Sequence, residues 1–243
     1  MAGPSRRPAF YAVGRGRLGD LLTLLHPPYT AWHLSYVAIG ASVAPHVHVD
    51  RLLWSLAAFA LAVGVAAHAL DELHDRPLAT GLSDGTLIGL AVVSMTGALA
   101  IGVAGAIWVS PWLVVLVLAG GLFLPAYNME LAGGRFHGDI WFALGWGAFP
   151  AFTGYFANSL EVGVPGLLIA AACTGMSLAQ RRLSSAAREL RRRTVSVKGT
   201  RTLTDGSSHE ISLPELLLPL DRALALLSAT MVVIACALLS ARL

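Results

Sequence analysis

Residues 68–84 place acidic and histidine side chains at the end of a long hydrophobic segment. His68, Asp71 and Asp75 recur with Glu72 at helical spacing, so they form one polar stripe on a helix. Carboxylate oxygens suit Mg²⁺, which prefers one or two carboxylates together with the phosphates of a substrate. We therefore predict that Asp71, Glu72 and Asp75 bind Mg²⁺. Pro77 disfavours helical geometry at the residue before it, so the stripe should occupy the last turns before a loop.

Two alternatives stay open for this stripe. Adding His68 and His74, with His137 from a later loop, gives a mixed donor set that suits Zn²⁺ or another transition metal. The stripe is also compatible with a solvated helix end at which Arg76 pairs with Asp75 or Glu72. The first alternative predicts a different metal enzyme, and the second predicts no site.

Two further polar segments lie in loops that should share an end of the protein with the stripe. The first contains Tyr127, Asn128 and Glu130, which could supply hydrogen bonds to a substrate or further ligands. The second begins at Arg181 and Arg182, and guanidinium groups bind phosphates with two parallel hydrogen bonds. Its run of arginines is also typical of a helix lying on anionic lipid headgroups.

The composition indicates an integral membrane protein. Hydrophobic residues make up 56% of the 243 residues and charged residues only 13%, with a mean hydropathy of +0.67. Hydrophobic windows of membrane-spanning length predict an all-α bundle of about seven transmembrane helices. The predicted spans are residues 29–46, 51–70, 86–109, 111–128, 140–158, 162–180 and 216–240.

The positive charges predict the orientation of this bundle. Of the 17 Lys and Arg residues, 14 fall on one side in the N-terminal segment or loops, Arg222 enters the last span from that side, and only Arg51 and Arg242 fall on the other, in a chain of net charge +3. Positive residues favour the cytoplasmic side, so we expect a cytoplasmic N-terminus, a working face on the cytoplasm and a location in the cell (inner or plasma) membrane. The predicted parts are a cytoplasmic segment (1–27) with an interfacial helix near 16–25, a six-helix core (28–180), a basic loop (181–215) and a final helix (216–243).

The basic loop should contain a small cytoplasmic helix at 184–193 and a β-hairpin. Lys198-Gly199 and Asp205-Gly206 are turn sequences between alternating apolar residues. Residues 181–201 are a candidate docking surface for a protein partner or for anionic lipid headgroups. Nucleic acid is not an expected partner, because no aromatic residues alternate with the arginines.

Small residues predict a close-packed and kinked fifth span. Gly145, Gly147 and Gly154 allow neighbouring helix backbones to approach, and Pro150 removes a helical hydrogen bond.

The segment after the second span resembles the UbiA-type superfamily of intramembrane polyprenyltransferases. Asp71-x-x-x-Asp75 followed by Arg76-Pro77-Leu78-x-x-Gly81 is similar to the first aspartate motif of that family and the segment after it. The tyrosine ending the fourth span and the glycine-rich entry to the fifth are also similar, and the likeness covers about residues 20–180. The family's opening Asn-Asp is replaced by Ala67-His68, and its second aspartate motif by Gln180-Arg181-Arg182.

The resemblance implies a membrane transferase acting on an isoprenoid diphosphate with Mg²⁺. Asp71 and Asp75 would then be the catalytic pair. The expected substrate contacts are His68, Arg76, Tyr127, Asn128, Glu130, Arg181 and Arg182. The main alternative is a non-catalytic relative that serves as a membrane scaffold or lipid-binding subunit and docks a cytoplasmic partner. A His/Asp metal-dependent membrane enzyme is the second alternative.

Overall fold

A computed structural model describes residues 7–13 and 16–243 of the protein. The described chain is mostly helical, at 73%, with very little sheet, which confirms the predicted all-α class. The helices are α1 (Arg17–Leu24), α2 (Pro27–Ser42), α3 (Val49–Asp75), α4 (Asp84–Trp108), α5 (Leu113–Asn128), α6 (139–159), α7 (164–193) and α8 (Leu213–Ser240).

Helices α2 to α8 each overlap one predicted span, and α1 coincides with the short helix expected near residues 16–25. Within the described residues, α3, α4 and α8 are the three helices long and apolar enough to cross a membrane. Helix α5 is apolar but shorter. Helix α2 has 16 residues, or about 24 Å at 1.5 Å per residue, against a hydrocarbon core of about 30 Å.

Helix α2 packs against the second half of α6 and against α8, and the principal core lies between them. Trp32 and Tyr36 of α2 are fully buried there, and the Trp32 indole donates a 2.5 Å hydrogen bond to the Tyr36 hydroxyl. Helix α3 packs against α4, and α7 packs against α6. A polar group buried among apolar helices, such as the Trp32 indole NH, needs a hydrogen-bond partner within the protein, because no water is present to accept that bond.

Glycines allow α2 and α6 to approach each other closely. A Cβ atom added to Gly154 would lie 2.1 Å from the Val37 carbonyl oxygen, and one added to Gly40 would lie 1.9 Å from that of Ala151. Wider π-helical turns at Leu144–Ala148 precede Pro150 and interrupt the regular helix. The close packing predicted for this span is therefore present, and the predicted irregularity takes the form of these π-helical turns.

The two ends of the helix bundle differ in their contacts. At one end, the Arg242 guanidinium of α8 donates to the carbonyls of Ala44 and Pro45, and the His48 amide donates to Asn158 at 2.8 Å. At the other end, the C-terminal ends of α3, α5 and α7 meet around a cavity together with residues 8–11. The fold thereby brings the three polar segments of the sequence to a single site.

The predicted hairpin is present but short. Strands β1 (Thr200–Thr202) and β2 (Ser208–Glu210) pair antiparallel, with Arg201 opposite His209. Gly206 in the connecting turn has a φ of +81°, a conformation that glycine adopts without strain. The alternating residues Val195 and Val197 lie outside both strands.

Candidate functional site

A cavity of about 390 Å³, here called the polar cavity, lies among the converging loops. Acidic and histidine residues from the end of α3 form one wall, and arginines from the end of α7 form another. The end of α5 and residues 8–11 of the N-terminal segment complete the lining. It lies at the end of the protein that the three polar segments were expected to share.

Asp71 and Asp75 both line the polar cavity, as does His68. They lie in the last turns of α3, which ends where Arg76 adopts a left-handed φ of 52° before Pro77. Within the described part of the chain, Asp71 has no hydrogen bond or ion pair, although positive charge from Arg192 and Arg188 acts on it. Its carboxylate is therefore available to a metal ion or to a ligand.

Glu72 does not line the polar cavity; it is fully buried beneath the loop that follows α3. One carboxylate oxygen accepts a 2.9 Å hydrogen bond from the Leu78 amide. The other accepts from the amide and the hydroxyl of Thr80, at 2.8 and 2.9 Å. Both oxygens are thus occupied within the protein, so the structure gives Glu72 a different role from the predicted metal ligand, that of holding residues 76–80.

Arg76, expected to contact substrate, also points elsewhere. Its guanidinium donates to the Leu82 carbonyl at 2.6 Å and forms an ion pair with Asp84. It does not pair with Asp75 or Glu72, the arrangement expected for a simple solvated helix end. It stabilises the connection between α3 and α4 because it joins the two sides of that loop.

The three predicted contacts near the end of α5 all line the polar cavity. Tyr127 is 4% exposed, and its hydroxyl has no hydrogen-bond partner among the described residues. The side-chain amide of Asn128 donates a 2.8 Å hydrogen bond to the Leu124 carbonyl in the last turn of α5. His137 stacks on Tyr127 and lies 3.7 Å from the Glu130 carboxylate.

Of the two arginines expected to bind phosphate, only Arg181 lines the polar cavity. Its Nε lies 3.2 Å from an oxygen of Asp139, and its guanidinium lies 5.1 Å from the centre of the Phe142 ring. The side chain of Arg182 is 79% exposed and lies 3.7 Å from the same aspartate, outside the lining. The sequence prediction for Arg182 therefore has no support from its position.

The arginines of the following turns were not assigned to the site from the sequence, yet they form most of its basic wall. Arg188, Arg191, Arg192 and Arg193 all line the polar cavity. Arg191 binds Asp221 of α8 through two hydrogen bonds of 2.5 and 2.7 Å. Arg188 and Arg192 have no carboxylate partner within the described part of the chain, so their charge is available to an anion.

The N-terminal segment lies across the same cavity. The Arg191 and Arg192 guanidiniums donate to the carbonyls of Arg7 and Pro8, at 3.4 and 3.3 Å. Tyr11 contacts His26 through its ring, and burial raises the pKa of its hydroxyl above the usual range. The arginines therefore hold this segment as well as facing the cavity.

Two histidines that the sequence did not assign to the site, His26 and His33, also line the cavity. His26, at the start of α2, adopts a left-handed φ of 45° and stacks on His68 with 4.0 Å between ring centres. Burial, followed by the neighbouring His68, lowers the pKa of His26 well below its usual value. His33 also lines the cavity and hydrogen bonds to the Trp146 carbonyl at 2.9 Å. A non-glycine residue held in a strained conformation is typical of a ligand site.

One group of side chains in the described residues has metal-ligand spacing. One potential ligand atom each from His74, Asp75 and Glu130 lies within 4.8 Å of the other two. All three residues are exposed at the edge of the polar cavity. The predicted trio of Asp71, Glu72 and Asp75 is not such a group, because Glu72 points into the loop.

A second cavity, here called the apolar cavity, has a volume of about 550 Å³. It lies among α3, α4, α5 and α6 and is lined mainly by hydrophobic side chains, including Met95, Phe123 and Leu124. Trp146 lines both cavities. A polar compartment thus adjoins an apolar compartment large enough for a hydrocarbon chain.

Helical periodicity is the signal that could have identified the basic wall. Gln180, Ser184, Ala187 and Arg191 follow one another at spacings of four, three and four residues, and all line the cavity. Arg188 lies on the same face because it follows Ser184 by four residues. Asp221 and residues 8–11 carried no comparable signal, since their approach depends on tertiary packing.

In comparisons with known proteins, no family model, no curated protein and no solved structure matches this chain.

Proposed function

We propose that this protein is a UbiA-like membrane transferase acting on an isoprenoid diphosphate. The observation that carries the proposal is that the polar cavity has Asp71 and Asp75 on one wall, arginines on another, and an apolar cavity beside it at Trp146. A diphosphate requires positive charge or a metal, and its isoprenoid chain requires an apolar surface. The two compartments meet both requirements in adjoining spaces.

The reaction breaks the bond between C1 of the allylic chain and the bridging diphosphate oxygen. The electron pair leaves with that oxygen, giving pyrophosphate and an allylic carbocation. A nucleophilic atom of the acceptor then forms a new bond to C1 and loses its proton. Arg188 and Arg192 would stabilise the negative charge that develops on the leaving group, and the buried rings of Tyr127 and Trp146 would exclude water from the cation.

Magnesium is the expected cofactor, and the oxygen donors nearest the cavity fit it. Asp71, Asp75 and Glu130 line the cavity with carboxylates, whereas Glu72 is committed to hydrogen bonds. Bound Mg²⁺ would neutralise charge on the departing diphosphate. This protein's own contribution is to hold the donors on the last turn of α3 and at the end of α5.

The three membrane-length helices support a membrane location. We propose that all of the helices α2 to α8 cross the cell membrane and that the polar cavity opens to the cytoplasm. The arginines around the cavity support this orientation through the preference of positive residues for the cytoplasmic side. Anionic lipid headgroups would then surround the opening of the polar cavity.

The proposal is tested with purified protein, Mg²⁺ and allylic prenyl diphosphates of several chain lengths, measuring released pyrophosphate. We expect release by the native protein and at least a hundredfold loss in Asp71→Asn. Asp205→Asn, an exposed acid in the hairpin loop, is the matched control and should keep the native rate. Release that is equal in Asp71→Asn and the native protein would contradict the assignment of Asp71.

A second candidate function rests on the group His74, Asp75 and Glu130. A mixed nitrogen and oxygen donor set suits zinc or iron better than magnesium. This candidate predicts about one equivalent of a transition metal in protein purified without chelators, lost in His74→Ala. Absence of such a metal from the native protein would remove it.

A further inference from the structure

We propose that Arg188 and Arg192 form a phosphate-binding site that holds a diphosphate directly, without a metal ion between protein and ligand. The inference rests on the proposed function for the identity of the ligand. The site itself follows from the charges and buried polar atoms on the α7 side of the polar cavity. It assigns to α7 a different means of binding phosphate from the carboxylates of α3.

The charges on this wall are not balanced within the described residues. Arg181 pairs with Asp139, and Arg191 pairs with Asp221. Arg188 instead donates to the hydroxyls of Ser184 and Ser185, at 3.3 and 2.9 Å, and Arg192 donates only to the Pro8 carbonyl. These acceptors are neutral, so neither charge is paired with a carboxylate, although Asp71 on the α3 wall acts on both at longer range.

Burial makes this imbalance unfavourable. Removal from water lowers the pKa of Arg188, and the charges of Arg181 and Arg192 lower it further. Arg192 is more exposed than Arg188; its partial removal from water lowers its pKa, and Tyr11 and Asp71 oppose that effect. An arginine stays protonated under these conditions, so the unfavourable energy is relieved by an anion and not by loss of the proton.

Two buried polar atoms in the same cavity also have no hydrogen-bond partner in the described structure. They are the hydroxyl of Tyr127 and the side-chain oxygen of Gln180, in residues that are 4% and 2% exposed. A buried polar group without a partner is unfavourable. The Tyr127 hydroxyl can donate to a phosphate oxygen, and Gln180 can do so only through its NH₂ group.

Helix α7 provides no carboxylate that could hold a metal ion in place of these arginines. The residues that α7 contributes to the cavity are Gln180, Arg181, Ser184, Ala187, Arg188, Arg191, Arg192 and Arg193, and none is a carboxylate. Asp221, on the neighbouring α8, is already bound by Arg191 through both oxygens. A guanidinium offers a planar set of donors that matches two phosphate oxygens at once, so direct binding is the remaining chemistry.

The test uses the full chain in phosphatidylcholine nanodiscs, titrated calorimetrically with inorganic pyrophosphate in EDTA. We expect saturable binding by the native protein, weakened about tenfold or more by Arg188→Gln and by Arg192→Gln. Arg188→Lys keeps the charge but not the planar donors, so it should weaken binding less than Arg188→Gln. Arg201→Gln, an exposed arginine on the hairpin, is the control and should bind like the native protein.

Asp71→Asn separates this inference from the proposed function. Direct binding predicts that Asp71→Asn keeps its pyrophosphate affinity in EDTA even if prenyl transfer is lost. Pyrophosphate binding that requires Mg²⁺ and disappears in Asp71→Asn would overturn the inference while leaving the transferase proposal intact. No effect of either glutamine variant on binding would also overturn it.

A final arm identifies the source of the phosphate. The titration is repeated in nanodiscs that contain one-fifth phosphatidic acid. Unchanged pyrophosphate affinity is expected if the natural ligand is a diphosphate. A tenfold or larger loss would support the same phosphate chemistry and assign it to a lipid headgroup.

Discussion

Replacing Glu72 by glutamine separates a structural role from metal binding. Glu72 is fully buried and accepts three hydrogen bonds, from the Leu78 amide and from the amide and hydroxyl of Thr80. A glutamine keeps the shape but has one acceptor oxygen. Either Leu78 or Thr80 must then face an amide NH₂ group, and every remaining bond loses its charged acceptor.

The expected destabilisation follows from those contacts. An unsatisfied buried donor costs about 1–3 kcal/mol, and exchanging a charged acceptor for a neutral one costs about 1 kcal/mol for each remaining bond. The sum is about 2–5 kcal/mol for Glu72→Gln. Asp75→Asn, on an exposed side chain one turn further along α3, should stay within about 0.5 kcal/mol of the native protein.

The assay is unfolding of the detergent-solubilised protein by added SDS, followed by circular dichroism in EDTA. Chelation removes any stabilisation by a bound metal, so the loss in Glu72→Gln must come from the loop contacts. Equal unfolding midpoints for Glu72→Gln and the native protein in EDTA would refute the structural role. A difference that appears only with Mg²⁺ would restore Glu72 as a metal ligand.

Three other perturbations test packing, titration and charge pairing. Gly154→Ala places a Cβ atom 2.1 Å from the facing backbone of α2 and should lower stability by about 1–3 kcal/mol or more in SDS unfolding, whereas Gly89→Ala, which contacts nothing, should be neutral or stabilising. Equal losses in the two variants would contradict the close packing. Because burial lowers the folded-state pKa of His26, the unfolded state binds the proton more readily, and stability should fall as pH decreases below about 6.5. Thermal unfolding at pH 7.5 and 5.5 should show a smaller pH effect in His26→Asn; an unchanged effect would exclude His26 as its source. Arg191→Gln leaves the Asp221 carboxylate without its guanidinium in a largely buried pair, so it should cost about 3–5 kcal/mol in SDS unfolding, and Arg191→Gln with Asp221→Asn should recover part of that loss. No recovery in the double variant would argue against the pair.

The long helices were predictable because membrane-length hydrophobic runs leave little conformational choice. The seven predicted spans all overlap helices of the structure. The close approach of α6 to its neighbours was also predictable, since Gly147 and Gly154 lack the side chain that would prevent it. The hairpin was only partly predictable: the Asp205-Gly206 turn is correct, but the alternation at Val195 does not form a strand.

The candidate site was predictable in position and incomplete in its residues. The stripe on α3 placed Asp71 correctly, but helical spacing could not show that Glu72 would turn towards the backbone of the next loop. On α7, the sequence favoured Arg181 and Arg182 because they directly replace the missing aspartate motif. In the structure Arg181 lines the cavity and Arg182 does not, and Arg188 and Arg192 line it as well because the helix continues three turns further. Helical spacing could have indicated Arg188, whereas the side-chain direction of Glu72 depends on tertiary contacts that a single sequence does not encode locally.

The most direct test of the transferase proposal compares pyrophosphate release by the native protein, Asp71→Asn and Arg188→Gln from one allylic prenyl diphosphate with Mg²⁺. The two substitutions remove groups from opposite walls of one cavity. We expect release by the native protein and a loss of about a hundredfold in each variant. Equal release by all three proteins, or no release by the native protein, would contradict the transferase proposal.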